Sequence, residues 1–222
     1  MEMKDIVIRE LRHDDTREAV ELILSGLFQE TLTLRNAFGL MLNAESCLSM
    51  TALSAILYTL SHSPGLSVIL PPLLSFLVSF VYLWCDYRQC VLDSRSELQD
   101  LHGWYTHKPD RKFWVAVYRE KVIGTVALQM TSETTAELQK MRVHLKCRRR
   151  GVGTRMVEHV EDYCRSVGIR EVFMIADDFG HGAYLYQRCG YVITVEFLRR
   201  IVPLPGAFFT VRKLSKKLWG DC

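Results

Sequence analysis

Residues 147–154 read CRRRGVGT: three arginines run directly into a Gly-x-Gly pair. The segment before it, AELQKMRV at 136–143, has the composition of a strand, and the segment after it keeps apolar residues at helical spacing as far as Gly168. The stretch is therefore predicted to be a turn that leads into the N-terminus of a helix. Such an N-terminus has unpaired backbone N–H groups and partial positive charge, and it binds anions such as phosphate.

Two common phosphate-binding motifs do not fit this turn. It lacks the Lys-Ser/Thr ending of a P-loop, and Met156 stands where a dinucleotide-binding turn has its third glycine. The glycines still allow a ligand to approach the backbone closely, and the arginines add charge-assisted donors. We therefore expect an anion site of another class.

The rest of the chain predicts a mixed α/β domain around this turn. Alternating or β-rich runs predict strands, and 3.6-residue spacing predicts helices. The predicted strands are 6–11, 113–118, 122–130, 136–143, 171–176, 191–198 and 206–214, and the predicted helices are 17–28, 90–101, 151–167 and 182–190.

An apolar insert interrupts this pattern, because residues 46–85 contain no Asp, Glu, Lys or Arg. Leu66–Cys85 is long enough to cross a bilayer, Cys47–Ser61 is shorter, and HSPG at 62–65 predicts a turn between them. A soluble helix normally has a polar face. We interpret residues 37–86 as a hydrophobic membrane insert, with a buried helical hairpin of a soluble domain as the alternative.

Composition and cysteine spacing argue against several classes of protein. The chain has 222 residues and a net charge of +3, which by itself does not imply nucleic acid. The seven cysteines form no C-x-x-C pair and are odd in number, which argues against a zinc ribbon and against a disulfide framework. The histidines and cysteines show no metal-ligand spacing, so we expect no metal.

Two motifs together resemble the acetyl-CoA core of the GCN5-related N-acetyltransferases (GNAT). They are the turn within AELQKMRVHLKCRRRGVGTRMVEHVEDYCRSVG and the later AYLYQRCGY. The family patterns are Arg/Gln-x-x-Gly-x-Gly/Ala and Leu-Tyr-x-x-x-Gly-Phe/Tyr. The matching residues are Arg148, Gly151 and Gly153, and then Leu185, Tyr186, Gly190 and Tyr191. The resemblance implies the GNAT fold, a mixed central sheet flanked by helices.

The position of the insert resembles the camello-like membrane N-acetyltransferases. That resemblance divides the chain into residues 1–36, the first strand and helix; 37–86, the membrane insert; and 87–222, the acetyltransferase core. In the implied fold the first strand must join the same sheet as the later ones, so we expect both flanks of the insert to lie on one side of a membrane. We therefore expect a helical hairpin or re-entrant insert, a catalytic domain facing the cytosol and, from the resemblance, the endoplasmic reticulum.

The resemblance also implies a set of acetyl-CoA contacts. Amides of the basic turn would hold the pyrophosphate, and the edge of the preceding strand would pair with the pantetheine arm. A neutral primary amine, of a small molecule or a protein, would then attack directly, without a covalent enzyme intermediate. The implied cofactor residues are Met141, Arg142, Val143, Arg148, Arg149, Arg150, Gly151, Val152, Gly153 and Thr154.

Catalytic candidates follow in the same way. Tyr186 is the candidate general acid for the departing thiolate, or else packs the helix against the sheet. Glu137 is the candidate general base, or else a solvated carboxylate at a strand end. His181 is an alternative base or an ordinary loop histidine, and Asp177 and Asp178 would attract a cationic acceptor if they are not simply solvated.

Two other functions stay open at this point. A catalytically degenerate member would serve as a membrane scaffold. A transcriptional regulator would use the Arg-rich turn and RKLSKK at 212–217 to bind nucleic acid, an interpretation that we disfavour because pyrophosphate already accounts for the arginines.

Overall fold

The computed structural model describes residues 5–42, 44–177, 182–200 and 208–219. Within them the chain forms one mixed sheet with the order β1-β2-β3-β4-β5-β7-β6. Neighbours from β1 to β4 pair antiparallel, whereas β4 and β5 pair parallel. The strands are β1 Val7–Glu10, β2 Arg111–Tyr118, β3 Lys121–Met130, β4 Thr135–Val143, β5 Glu171–Asp177, β6 Val192–Arg200 and β7 Phe208–Lys217.

Helices precede β2 and flank the later strands. They are α1 Thr16–Thr31, α2 Leu34–Met41, α3 Ala44–Ser61, α4 Pro64–Asp93, α5 Arg95–Gln99, α6 Leu101–Thr106, α7 Val152–Ser166 and α8 Gly182–Arg188. Short 3-10 turns occur at His13–Asp15 and Leu145–Cys147. The flanked mixed sheet confirms the predicted fold class.

The chain forms two compact units, of which the larger contains the sheet. This unit comprises Met1–Leu27, Asp93–Leu198 and Thr210–Cys222. Alternation along the strands divides its core in two: Trp114 of β2 belongs to the cluster with α7, and its neighbour Phe113 belongs to the cluster with α1 and α6.

The second unit comprises Phe28–Leu92 and Arg199–Phe209, and the whole insert at 37–86 falls within its first segment. Only His62 and Ser63 separate α3 from α4, and His62 has a φ of 53°. By length and composition, α4 is the one helix in the described part of the chain that qualifies by itself to cross a membrane. Several of its apolar side chains are more than half exposed: Leu66, Val68, Ile69, Leu73, Leu77 and Val81.

One predicted boundary in this region was wrong. The apolar stretch Leu66–Cys85 lies within the longer helix α4, which continues to Asp93 and contains both Pro71 and Pro72. The predicted helix at 90–101 is divided among three helices: α4 ends at Asp93, α5 covers Arg95–Gln99, and α6 begins at Leu101. Asp100 caps α6, since its Oδ1 accepts a hydrogen bond from the Gly103 amide (2.9 Å).

Candidate active site

A β-bulge shapes the middle of β4. The cross-strand pairs Thr125–Arg142 and Ala127–Gln139 leave one more residue on β4 than on β3. Lys140, within the bulge, has a φ of 50°. The buried Thr125 hydroxyl donates a hydrogen bond to the Lys140 carbonyl oxygen (2.9 Å), so β3 holds the bulged backbone in place.

Beside the bulge, β4 separates from β5. The described pairing joins Thr135–Glu137 to Glu171–Phe173 and ends there, while β5 continues along β7 as far as Asp177. The remainder of β4, Leu138–Val143, therefore presents a strand edge on the β5 side. Such an edge offers backbone N–H and C=O groups to an extended ligand.

The basic turn follows this edge and begins α7. Gly151 is the N-cap residue with a φ of 80°, and Arg149 also has a left-handed φ, 58°. The Arg155 amide donates to the Gly151 carbonyl oxygen (3.1 Å), which closes the first helical turn. The amides of Val152–Thr154 are thus first-turn donors that the helix itself does not use, as the sequence predicts for an anion site.

The start of α7 packs tightly against two neighbouring elements. A Cβ placed on Gly153 would lie 3.0 Å from Leu185 Cδ2 of α8 and 3.6 Å from Met141 Cε of β4. Burial raises the pKa of Cys189, and the Thr154 hydroxyl, hydrogen-bonded to that thiol, opposes the rise. The strand edge and the helix N-terminus are therefore parts of one packed junction.

The arginines of the turn take different positions. Arg148 is half-buried, and its Nε donates to the Val143 carbonyl oxygen (2.9 Å), which secures the turn to the end of β4. Arg149 and Arg150 are exposed. Arg142 extends over α1, since a Cβ on Gly26 would lie 2.7 Å from its Cδ. Arg149 and Arg150 therefore place two positive charges at the surface beside the helix N-terminus.

Glu137 is half-buried and is the last residue of β4 that pairs with β5. Its alternation with Ala136 and Leu138, which belong to the α7 core, places it on the opposite face of the sheet. Its charge acts on Tyr105 of α6, whose pKa is raised chiefly by burial and next by Glu97. The candidate base thus lies where the parallel pairing ends.

Tyr186 lies in the core between α8 and the sheet and is only 6% exposed. Its ring makes an edge-to-face contact with Tyr191, with centroids 5.9 Å apart. It follows Leu185, the residue that contacts the start of α7. His181 and Asp178 lie outside the described residues, as does the side chain of Asp177.

Three features of the site were not found from the sequence. Thr125 stands in an apolar run, and Lys140 and Glu97 are ordinary charged residues in the pattern. A glycine at the left-handed position would have indicated the bulge in the sequence, but a lysine occupies that position. The sequence therefore gives no signal for the bulge. As for metals, the described ranges contain no group of three or more His, Cys, Asp and Glu side chains suited to hold an ion.

Comparison with known proteins identifies the family. The sequence model of the Acetyltransferase (GNAT) family matches residues 79–191, about half of the chain. The chain is 28% identical over 190 residues to "Probable N-acetyltransferase 14" of Xenopus tropicalis, covering 84% of this chain and 86% of that protein. It is 30% identical over 112 residues to "Probable N-acetyltransferase camello" of the same species, covering 49% and 51%.

A solved structure agrees on the fold. Spermidine N-acetyltransferase from Vibrio cholerae, solved with CoA and spermine, has 15% identity, a TM-score of 0.56 and coverage of 97% of this chain and 96% of its own. The chain belongs to the GNAT family, with relatives of the camello type. It is an acetyl-CoA-dependent N-acetyltransferase by class.

Proposed function

We propose that this protein is a membrane-anchored N-acetyltransferase that transfers the acetyl group of acetyl-CoA to a primary amine, of a small molecule or a protein, by direct attack. One juxtaposition carries the proposal: the strand edge at Leu138–Val143 leads into the first turn of α7 at Val152–Thr154. The edge suits the amides of pantetheine, and the helix N-terminus suits pyrophosphate.

The acetyl-CoA contacts divide between these two elements. Met141, Arg142 and Val143 form the pantetheine edge. The backbone amides of Arg149–Thr154 receive the pyrophosphate, while the exposed side chains of Arg149 and Arg150 add charge. An amide of the strand edge polarises the thioester carbonyl and stabilises the oxyanion that develops there.

The chemistry requires one base and one acid. Glu137 accepts a proton from the acceptor ammonium, directly or through water, because only the neutral amine has a lone pair for attack. The C–N bond forms, the tetrahedral intermediate collapses, and the C–S bond breaks. The nitrogen of the new amide gives up its extra proton, which restores the phenol of Tyr186 after that side chain has protonated the thiolate, and Glu137 releases the first proton to solvent. Tyr186 donates its phenolic proton to the departing thiolate. The role rests on the match of Tyr186 to the family motif, and the buried contact of its ring with Tyr191 is the feature that the packing alternative would explain.

The exposed apolar side chains of α4 support membrane anchoring. A contiguous apolar surface on a helix of this length favours lipid as its surroundings. We infer the domain limits as 1–36, 37–86 and 87–222, with the insert entering and leaving on one side. The catalytic unit would face the cytosol, where acetyl-CoA is available, and the resemblance favours the endoplasmic reticulum.

Calorimetric titration of acetyl-CoA into the detergent-solubilised protein tests the central claim. We expect binding by the wild type and loss of binding in Gly151→Asp, because the carboxylate would repel the pyrophosphate. The matched control is Gly168→Asp, which has a similar φ of 83° but lies beyond the other end of α7, with open space around its Cβ. Absence of binding in the wild type would overturn the enzyme proposal and favour a scaffold.

Protease protection tests the arrangement of the insert. A cleavable tag inserted at Ser63, in the α3–α4 turn, should resist a protease added from the cytosolic side of sealed vesicles. A tag at the N-terminus should be cleaved from the same side. Ready cleavage at both places would refute a deep hairpin, because Ser63 would then lie at the cytosolic surface.

A further inference from the structure

The bulge in β4 is held by a side-chain cluster as well as by Thr125. Lys140 Nζ lies 3.2 Å from Glu97 Oε2 and donates to Ser94 Oγ at 3.2 Å. The other carboxylate oxygen of Glu97 accepts a hydrogen bond from the Tyr105 hydroxyl (2.7 Å). Glu97 thus connects the bulge residue to a tyrosine of the core beneath α6.

The surroundings make this contact stronger than an ordinary surface ion pair. The side chains of Glu97 and Lys140 are 13% and 21% exposed, and Tyr105 is buried against Phe113, with ring centroids 5.0 Å apart. A partly buried pair is screened little by solvent and salt. Removal of either partner leaves the other charge poorly compensated in a region of low dielectric constant.

The backbone conformation of Lys140 explains why side-chain contacts are needed to hold the bulge. A φ of 50° is unfavourable for a side chain with a Cβ, and glycine would adopt it without that strain. The chain nevertheless has a lysine there, with its carbonyl held by Thr125 and its ammonium by Glu97. The lysine gains a side-chain contact that glycine would lack.

We propose that Glu97 is a positioning residue for acetyl-CoA. Through Lys140 it fixes the backbone conformation of the bulge, and thereby the direction in which the amide N–H groups of Met141–Val143 point. Glu97 pairs with Lys140 and accepts a hydrogen bond from Tyr105, neither of which is a proposed cofactor or catalytic residue, so it acts through the lysine. This inference rests on the proposed use of that strand edge. A displacement of the edge by about 1 Å is sufficient to weaken catalysis about a hundredfold.

Two readouts on the full-length, solubilised protein test the proposal. In Glu97→Gln and Lys140→Met, hydrogen exchange of the peptide covering residues 138–145 should accelerate in the free protein, while exchange in β2 stays unchanged. The dissociation constant for acetyl-CoA should rise about tenfold, and the double variant should be no worse than Lys140→Met, because the two side chains act as one unit. The control is Lys112→Met, which breaks the Lys112–Glu10 pair on β2 and β1 (3.1 Å).

The two readouts distinguish failure of the positioning role from failure of the proposed function. Unchanged exchange in both variants would overturn the positioning role, whatever happens to acetyl-CoA binding. A wild type that fails to bind acetyl-CoA would overturn the proposed function, while exchange would still decide whether the cluster holds the bulge. Lower melting temperature with unchanged exchange and unchanged affinity would reduce Glu97 to a structural residue. Lys140→Arg should restore slow exchange, because it keeps the cation.

Discussion

Gly153 of α7 lies against Leu185 of α8, so closely that a Cβ on the glycine would stand 3.0 Å from Leu185 Cδ2. This contact connects the two sequence motifs that the chain shares with the GNAT family, the Gly-x-Gly turn and the Leu-Tyr pair of α8. The glycine has helical backbone geometry and therefore needs no special φ at this position. Its absent side chain allows α8 to approach the helix N-terminus where the pyrophosphate is proposed to bind.

Replacement of this glycine should separate the two helices. We expect Gly153→Val to lower the free energy of unfolding by about 1–3 kcal/mol through overpacking and to weaken acetyl-CoA binding. Gly39→Val, in α2 with open space around its Cβ, should be nearly neutral for both properties. Urea denaturation and calorimetric titration measure the two effects. Equal stability of the two variants would show that the Leu185 contact accommodates a side chain.

The structure agrees well with the sequence pattern where local periodicity decides the element. The runs predicted as strands at 113–118, 122–130 and 136–143 become 111–118, 121–130 and 135–143. The first two are buried on both faces, so a continuous run of β-branched and aromatic residues identifies them. The helix predicted at 151–167 is observed at 152–166 because a glycine begins it and another follows its end.

The rest depends on contacts between distant segments. The bulge at Lys140 is a shift of register against β3, and its lysine pairs with a carboxylate on α5; neither feature follows from local spacing. The length of α4 does not follow from its apolar stretch, because the helix continues past Cys85 through charged residues as far as Asp93. The roles of Glu137 and Tyr186 stay predictions for the same reason, because chemistry depends on what lies beside them when substrate is bound.

Loss of the proposed general acid should affect turnover alone. We expect Tyr186→Phe to reduce kcat at least a hundredfold, the usual scale for general acid–base catalysis, while the dissociation constant for acetyl-CoA stays the same. Tyr191→Phe is the matched control, since that ring touches Tyr186 edge-to-face and is also buried. Steady-state kinetics with an accepted amine supply the comparison. Equal kcat in Tyr186→Phe and wild type would remove Tyr186 from the mechanism.

Loss of the proposed base should be partly overcome by alkali. Glu137→Gln should reduce kcat/KM about a hundredfold near neutral pH. The rate should then recover as the pH rises toward the pKa of the acceptor amine, because a growing fraction of the amine is already neutral. Glu133→Gln, an exposed carboxylate in the preceding loop, should behave as wild type. A pH-independent defect would mean that Glu137 positions substrate and moves no proton.

The thiol of Cys164 should be inert in the folded protein. Its side chain is fully buried on α7, and burial, with a further contribution from Glu161, raises its pKa to about 12. Iodoacetamide at pH 8 should therefore modify Cys147, which is half-exposed beside the basic turn, and spare Cys164 until the protein unfolds. Peptide mass spectrometry distinguishes the two sites. Early modification of Cys164 would show that α7 opens readily.

The same thiol should make stability fall in alkali. An unfolded cysteine loses its proton near pH 8.5, whereas folded Cys164 keeps it until about pH 12. Between these values the folded state binds more protons, so the free energy of unfolding decreases as the pH rises. Cys164→Ala should weaken this decrease while lowering stability at pH 7. Urea midpoints at pH 7 and pH 10 provide the test, and parallel shifts in both proteins would contradict it.

Asp15 should stabilise the fold at neutral pH and lose that effect in acid. Burial alone raises the pKa of this carboxyl, but hydrogen bonds from Arg9 and from the Arg12 amide outweigh it, and the net pKa lies below the usual range. The Arg9 Nη2–Asp15 Oδ1 distance is 2.9 Å, and the Arg12 amide lies 3.0 Å from Oδ2. At pH 7 we expect Asp15→Asn to cost about 1–3 kcal/mol of unfolding free energy.

The sign of the pH dependence follows from the lowered pKa. The stabilisation is fully present above the unfolded pKa, near 3.9, and is lost as the pH falls through the lower pKa of the folded state. Urea midpoints of wild type and Asp15→Asn should therefore differ most at pH 7 and converge in strong acid. Asp14→Asn changes the exposed neighbouring carboxylate and should leave the urea midpoint unchanged both at pH 7 and in strong acid. A constant difference between wild type and Asp15→Asn at all pH values would mean that Asp15 acts through shape and not through charge.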